Sequence, residues 1–125
     1  MGPHRIPALA LTADTVAVIV FAAVGRASHA EPGDVVGLLA TAAPFAVGLG
    51  AAWATPFVRA RPAGLRAGAV VLAGTAVIGL LVRAAFTGRL PPTFALITIV
   101  SLGVLQLGWR AIAAYVAHRA AQRVP

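Results

Sequence analysis

The chain has 125 residues, 60% of them hydrophobic and only 10% charged, with a net charge of +7 and no cysteine. This length allows one domain, and a water-soluble domain of this size has too much exterior to hide so much apolar surface, whereas a lipid solvent removes the conflict. The missing cysteine excludes disulfides, thiolate nucleophiles, zinc–thiolate sites and iron–sulfur clusters. All ten basic residues are arginine; with the abundant alanine, glycine and proline, this reads as GC-rich, bacterial coding. The arginines are scattered between apolar segments rather than gathered on one face, so they mark membrane topology and argue against a nucleic-acid partner.

A helix crossing the hydrocarbon core needs about 20 mostly apolar residues. Four such stretches follow one another, which predicts an all-α, single-domain integral membrane bundle of four transmembrane helices. The first is expected over about residues 8–24 and contains Asp14. A charge at the middle of a membrane helix costs about 2.5–3.5 kcal/mol on insertion scales, so Asp14 needs a partner. Arg110, near the end of the fourth helix, reaches a similar depth on an up-and-down path, and the two are expected to form an intramembrane ion pair. Such a pair is either a proton or ion relay or a staple between helices. A carboxylate held by arginine is a poor proton carrier, which favours the staple. The loop over about residues 25–34 follows, with His29, Glu31, Pro32 and Gly33 as helix breakers.

The second helix is expected over about residues 35–54. Pro44 inside it removes one backbone donor and frees the carbonyl of Ala40. Thr41, Pro44 and Gly48 share one face, which makes Thr41 a polar interior candidate and Pro44 either a hinge or a fixed kink that improves packing. Ala42, Ala46, Gly50 and Ala54 form a ladder of small residues at every fourth position. Small residues let helices approach closely, within one chain or between two, so a homodimer is a candidate assembly. Pro56, Pro62 and Gly64 interrupt any helix through about residues 55–66.

The third helix is expected over about residues 67–86. Gly64 and Gly68 form a G-x-x-x-G at its start, and Thr75, Gly79 and Arg83 repeat on one narrow face. Arg83 lies near the end that meets Arg26 and His29, just beyond the first helix. Arg26, His29 and Arg83 form a candidate ligand-binding cluster for an anion such as a lipid headgroup or a carboxylate. The blander reading is that Arg83 snorkels to the interface and Glu31 neutralises Arg26. Pro91–Pro92 separates the third helix from the fourth, expected over about residues 93–116. Gln106 lies one turn before Arg110, on one face with Gly103, and is expected in the polar interior of the bundle as an interhelical hydrogen-bonding group.

Short loops rich in arginine stay in the cytoplasm. Arg5, the group Arg59, Arg61 and Arg66, and the tail pair Arg119 and Arg123 therefore place both termini inside a multi-pass protein of the cell membrane. Trp53 and Trp109 then fall near the inner interface, where indoles prefer to sit. An alternative is that Met1–Ala30 is a cleaved signal peptide with Ser28-His29-Ala30 at its site. Against it, the apolar stretch is long for such a segment and contains Asp14. His4, His29 and His118 lie on different segments with no metal-ligand spacing, so no metal and no cofactor is expected.

Taken in order, Asp14, Val20-Phe21 and Gly25-Arg26-x-Ser28-His29 form one block. Thr41-x-x-Pro44-Phe45-x-x-Gly48 with Trp53 forms a second. Gly79 with Arg83, then Gly88 and Phe94, forms a third, and Gly108-Trp109-Arg110 closes the fourth helix. This pattern resembles the bacterial and archaeal membrane family catalogued as domain of unknown function 3054. One departure is Ala43, where the family pattern has Trp. The resemblance implies a compact multi-helix membrane protein and no activity, and it weighs against the signal peptide.

Three functions compete. The chain binds or transports a small anionic or amphipathic ligand, or it is a structural or accessory subunit beside another membrane protein, or it is an enzyme acting on lipid. An acid–base pair of Asp14 and His29 would stand roughly 20 Å apart along one helix, too far for concerted chemistry, so no enzymatic activity is expected. The expected partners are membrane lipids, a second copy of the chain, or an unidentified membrane protein.

Overall fold

In the computed structural model, residues 5–28 and 34–123 are described. Helix α1 (Arg5–Ser28) is followed by α2 (Val35–Trp53), a short α3 (Pro56–Ala60), α4 (Leu65–Ala73), a π-helical turn (Gly74–Ile78), α5 (Gly79–Thr87) and α6 (Pro92–Gln122). α4, the π turn and α5 run on from one another as a single 23-residue span. With α1, α2 and α6 it makes four helices long and apolar enough to cross a bilayer. The chain is a bundle of four transmembrane helices, as the hydrophobic pattern requires.

The helix ends follow from local chemistry. Asp34 stands at the start of α2 in extended conformation, and its carboxylate accepts the Gly37 N–H at 2.8 Å, which satisfies one of the donors a helix start leaves open. Thr55 accepts from the Val58 N–H ahead of Pro56 and so starts α3. The loop expected between the second and third helices therefore holds a further turn of helix. Gly88 ends α5 with φ +72°, a left-handed conformation that costs a residue with a Cβ about 1–2 kcal/mol, and its N–H closes on the Ala84 carbonyl at 2.7 Å. Pro92 then opens α6 at a position where a missing N–H does no harm.

Two helices are longer than the hydrophobic pattern suggests. α1 begins three residues before Ala8, and α6 runs 31 residues, through His118 and Arg119 to Gln122. Polar residues end an apolar stretch without ending a helix, because alanine-rich sequence remains helical in water or lipid alike.

The four spans close a ring. α1 packs on α2, α2 on the third span, the third span on α6, and α6 on α1. The tightest approach is between α2 and the π turn. A Cβ at Gly48 would collide with the Gly74 carbonyl and stand 3.0 Å from Thr75 Cα, and one at Gly74 would meet Ala52 Cβ at 2.9 Å. α5 then leans on α2, with Gly79 against Phe45, whereas α6 packs mainly on α4. The third span therefore holds α6 closely at one end and diverges from it at the other. Phe21, Phe45 and Phe94 fill the core near the divergence, with ring centroids 5.0 and 6.5 Å apart. Most remaining apolar side chains face outward, as they do when the solvent is lipid.

Candidate functional site

Polar side chains gather at two levels of the bundle. The first lies at the end of α2 that carries Trp53. Asp14 on α1 and Arg110 on α6 meet there as a bidentate ion pair, Nη1 to Oδ1 at 2.7 Å and Nη2 to Oδ2 at 2.8 Å, with both side chains fully buried. The indole N–H groups of Trp53 and Trp109 donate to the two carboxylate oxygens at 2.9 Å each. An ionised carboxylate offers about four acceptor sites, and all four are thereby used. Arg110 also donates from Nε to the Pro62 carbonyl at 2.9 Å and from Nη1 to the Gln106 carbonyl at 3.0 Å. Its guanidinium lies 4.4 Å from the Trp109 ring centroid.

The sequence argument pairs Asp14 with Arg110, and the structure brings them together. The indoles, which residue type alone places at the lipid interface, turn inward to this carboxylate. Gly68 belongs to the same site, since a Cβ there would stand 2.6 Å from Arg110 Cδ. Gly68 makes room for the arginine stem within the chain, so the G-x-x-x-G at that position faces inward. A glycine on α4 opposite an arginine on α6 is the only sequence trace of this fit, and it appears only once the helix faces are known.

One turn along α6, Gln106 is fully buried and donates to the Thr75 hydroxyl in the π turn at 3.3 Å. Its Oε1 has no partner among the described residues. Pro44 lies within an unbroken α2, on the same helix as Thr41 and Gly48. Of the small-residue ladder on α2, Ala42 packs inward, while Ala46, Gly50 and Ala54 are exposed and Gly50 has open space around it.

The second polar level is at the opposite end. Arg26 on α1 turns towards α2, where Nη1 donates to the Thr41 hydroxyl at 3.1 Å and Nη2 lies 3.5 Å from Asp34. Gly37 packs directly beneath this guanidinium. Asp34 is held below its ordinary pKa, chiefly by the Gly37 N–H, then by its own backbone N–H, with the charge of Arg26 adding to both. His29 lies outside the described residues, as does Glu31.

Arg83 faces a different direction. It is half-buried at the mouth of a groove of about 780 Å³ between α1, α5 and α6. Its guanidinium lies 4.4 Å over the Phe94 ring, and it makes no hydrogen bond or ion pair among the described residues. Phe21 and Phe94 floor the groove, and Val20, Val24, Ile97 and Val100 form its walls. Thr87, Arg89 and Thr93 join Arg83 at the polar mouth. The Thr87 hydroxyl holds that turn in place, accepting from the Arg89 N–H at 3.3 Å and donating to the Arg83 carbonyl at 3.0 Å. Arg26 is not among the lining residues. The structure thus divides the candidate cluster: Arg26 belongs to the α1–α2 contact, and Arg83 to the groove.

Among the described residues no three histidine or acidic side chains lie close enough to hold a metal ion. No curated protein and no solved structure matches the chain. The model of the family described as "Protein of unknown function (DUF3054)" matches residues 11–113, which reach from just before Asp14 to just past Arg110, and the chain belongs to that family.

Proposed function

We propose that this protein binds, and in that way sequesters or moves, an anionic amphiphile in the groove between α1, α5 and α6. One observation carries the reading. Arg83 is a half-buried cation with no acidic partner among the described residues, set at the polar mouth of a groove whose floor and walls are mainly apolar. A buried or partly buried charge is ordinarily paired. A ligand with an anionic end and an apolar body supplies both missing partners. The reading is of a binding protein rather than an enzyme. Asp14, the acid closest to a catalytic candidate, has its acceptor sites filled by four donors, so it is poorly placed to take a substrate proton. The arginine distribution supports a cell-membrane location with both termini in the cytoplasm, which puts the groove mouth on the outer side.

Native mass spectra of the protein released from mild detergent test the reading. The expected result is a reproducible bound anionic mass that Arg83→Ala loses. An identical spectrum from the two proteins, both folded, would sink it. A second reading, an accessory subunit or homodimer, draws on the outward Ala46, Gly50 and Ala54 of α2. It requires Gly50→Leu to abolish an assembly seen in the same spectra.

A further inference from the structure

We infer that the groove takes a phospholipid of net negative charge from the leaflet on the Arg83 side, with one acyl chain lying along α6 and the phosphate between Arg83 and Arg89. The inference rests on the binding reading above and names its ligand class.

Three observations carry it. The groove opens sideways, not along the bundle axis: Val24, Ile97, Val100 and Val104 on its walls are all at least half exposed, and outside a membrane bundle that exposure is to acyl chains. A ligand therefore enters from the lipid phase. The groove also has the length of a leaflet. It follows α6 from Thr93 to Leu105, about 18 Å at 1.5 Å per residue, against about 15 Å for half of a 30 Å hydrocarbon core. A chain seated there stays beside its neighbours in the leaflet and need not bend.

The third observation is where the charge stands. Arg83 and Arg89 lie at the same end of the groove, and the pinned turn around Thr87 keeps them together. Neither has an ion-pair partner among the described residues. A single carboxylate is satisfied by one guanidinium fork. Two arginines with the hydroxyl of Thr93 beside them suit a phosphate, whose several oxygens accept from more than one direction. Ring contact with Phe94 holds the Arg83 plane, so little side-chain freedom is lost when the anion arrives.

The test uses the full chain in nanodiscs of mixed phosphatidylcholine and phosphatidylglycerol, followed by native mass spectrometry of the lipid that stays bound. The wild type is expected to retain phosphatidylglycerol in preference to phosphatidylcholine. Arg83→Gln should reduce that preference about fivefold, the effect of one interfacial arginine. Val100→Trp, which fills the groove and leaves every charge in place, should abolish retention, and it decides the matter if Arg83→Gln does not fold. Arg59→Gln, at the opposite end, should leave the preference unchanged. A preference that survives both Arg83→Gln and Val100→Trp overturns the phospholipid inference. Dodecyl phosphate and laurate titrated against the same variants separate the two readings. Arg83-dependent binding of these, without retained phospholipid, overturns the ligand class and leaves the groove reading standing. If neither they nor phospholipid bind through Arg83, both fall.

Discussion

Asp14 accepts four hydrogen bonds in a site closed to solvent, and this saturation sets how each residue there responds to change. Arg110→Leu leaves a buried carboxylate with two indole donors and no countercharge. It should destabilise the bundle by about 3–5 kcal/mol, read as a shifted midpoint in an SDS-unfolding titration. Replacing both charges often restores a buried pair's stability, but not here. In Asp14→Leu with Arg110→Met, the Trp53 and Trp109 N–H groups and the Pro62 carbonyl lose their partners, at about 1–3 kcal/mol for each group left unsatisfied. The double variant should stay well below the wild type, and full recovery would show that the indoles and the carbonyl contribute nothing. Gln106 behaves differently because its Oε1 is already unpartnered. Gln106→Leu removes that acceptor and should change stability by no more than about 1 kcal/mol in either direction. A loss as large as that of Arg110→Leu would mean that Gln106 does more than hold Thr75.

At the N-cap of α2, pH should be felt through a lowered carboxylate pKa. The folded protein holds Asp34 below its ordinary pKa, first through the Gly37 N–H. Its stabilisation is therefore complete above the unfolded-state pKa and is lost as pH falls through the lower folded-state value. The stability difference between wild type and Asp34→Ala should be constant at neutral pH and shrink only in strong acid. Thermal melts across that range check it, and a difference that grows with acidity would contradict the assignment.

At the scale of the elements, the contact between α2 and the π turn depends on glycine for space. Gly48→Ala forces its Cβ against the Gly74 carbonyl and Thr75, so a cost of about 1–3 kcal/mol is expected for overpacking. Gly50, two residues on and facing outward with nothing nearby, is the control. Gly50→Ala should leave the monomer unchanged or stabilise it by up to about 1 kcal/mol, the difference in helix propensity. Equal effects at the two positions would mean that α2 and the third span do not meet as described. The same element logic explains the groove. α5 follows α2, α6 follows α4 and α1, and the space left between the consecutive helices α5 and α6 is closed by α1, from the other end of the chain.

Across the whole molecule, the charged levels sit near the ends of the shortest span. α2 has 19 residues, about 28 Å, close to the 30 Å hydrocarbon thickness. Trp53, its last residue, reaches Asp14, and Asp34, its cap, reaches Arg26. The Asp14–Arg110 pair is thus expected at one hydrocarbon boundary rather than at the centre, where it would be costliest. α6 continues 12 residues beyond Arg110, about 18 Å further, carrying Arg119 out of the core. Because the chain has no cysteine, the proposed orientation can be read with single introduced thiols. Arg89→Cys should react with a membrane-impermeant maleimide in intact cells, and Gln122→Cys only after permeabilisation. The reverse pattern would invert the assignment and place the groove mouth in the cytoplasm.

Four spans, their order and the residues too polar to face lipid were legible in the sequence, because hydrocarbon imposes one requirement on every backbone group and a run of apolar residues is its direct signature. Depth along a helix is likewise linear in residue number, so Asp14 and Arg110 could be set at one level from spacing alone. Rotation about the helix axis is not linear in that way. Whether Arg83 turns to Arg26 or to Phe94, whether Trp53 meets lipid or Asp14, and whether Gly68 or Gly50 faces a neighbour depend on a few tens of degrees of helix rotation. In a chain apolar on all sides, no amphipathic face sets that angle. Only the packing of the four helices decided it: α2 seated on the π turn through Gly48, and Gly68 opened a path for Arg110. The divergence of α5 from α6 then left Arg83 over a groove instead of within a charged cluster.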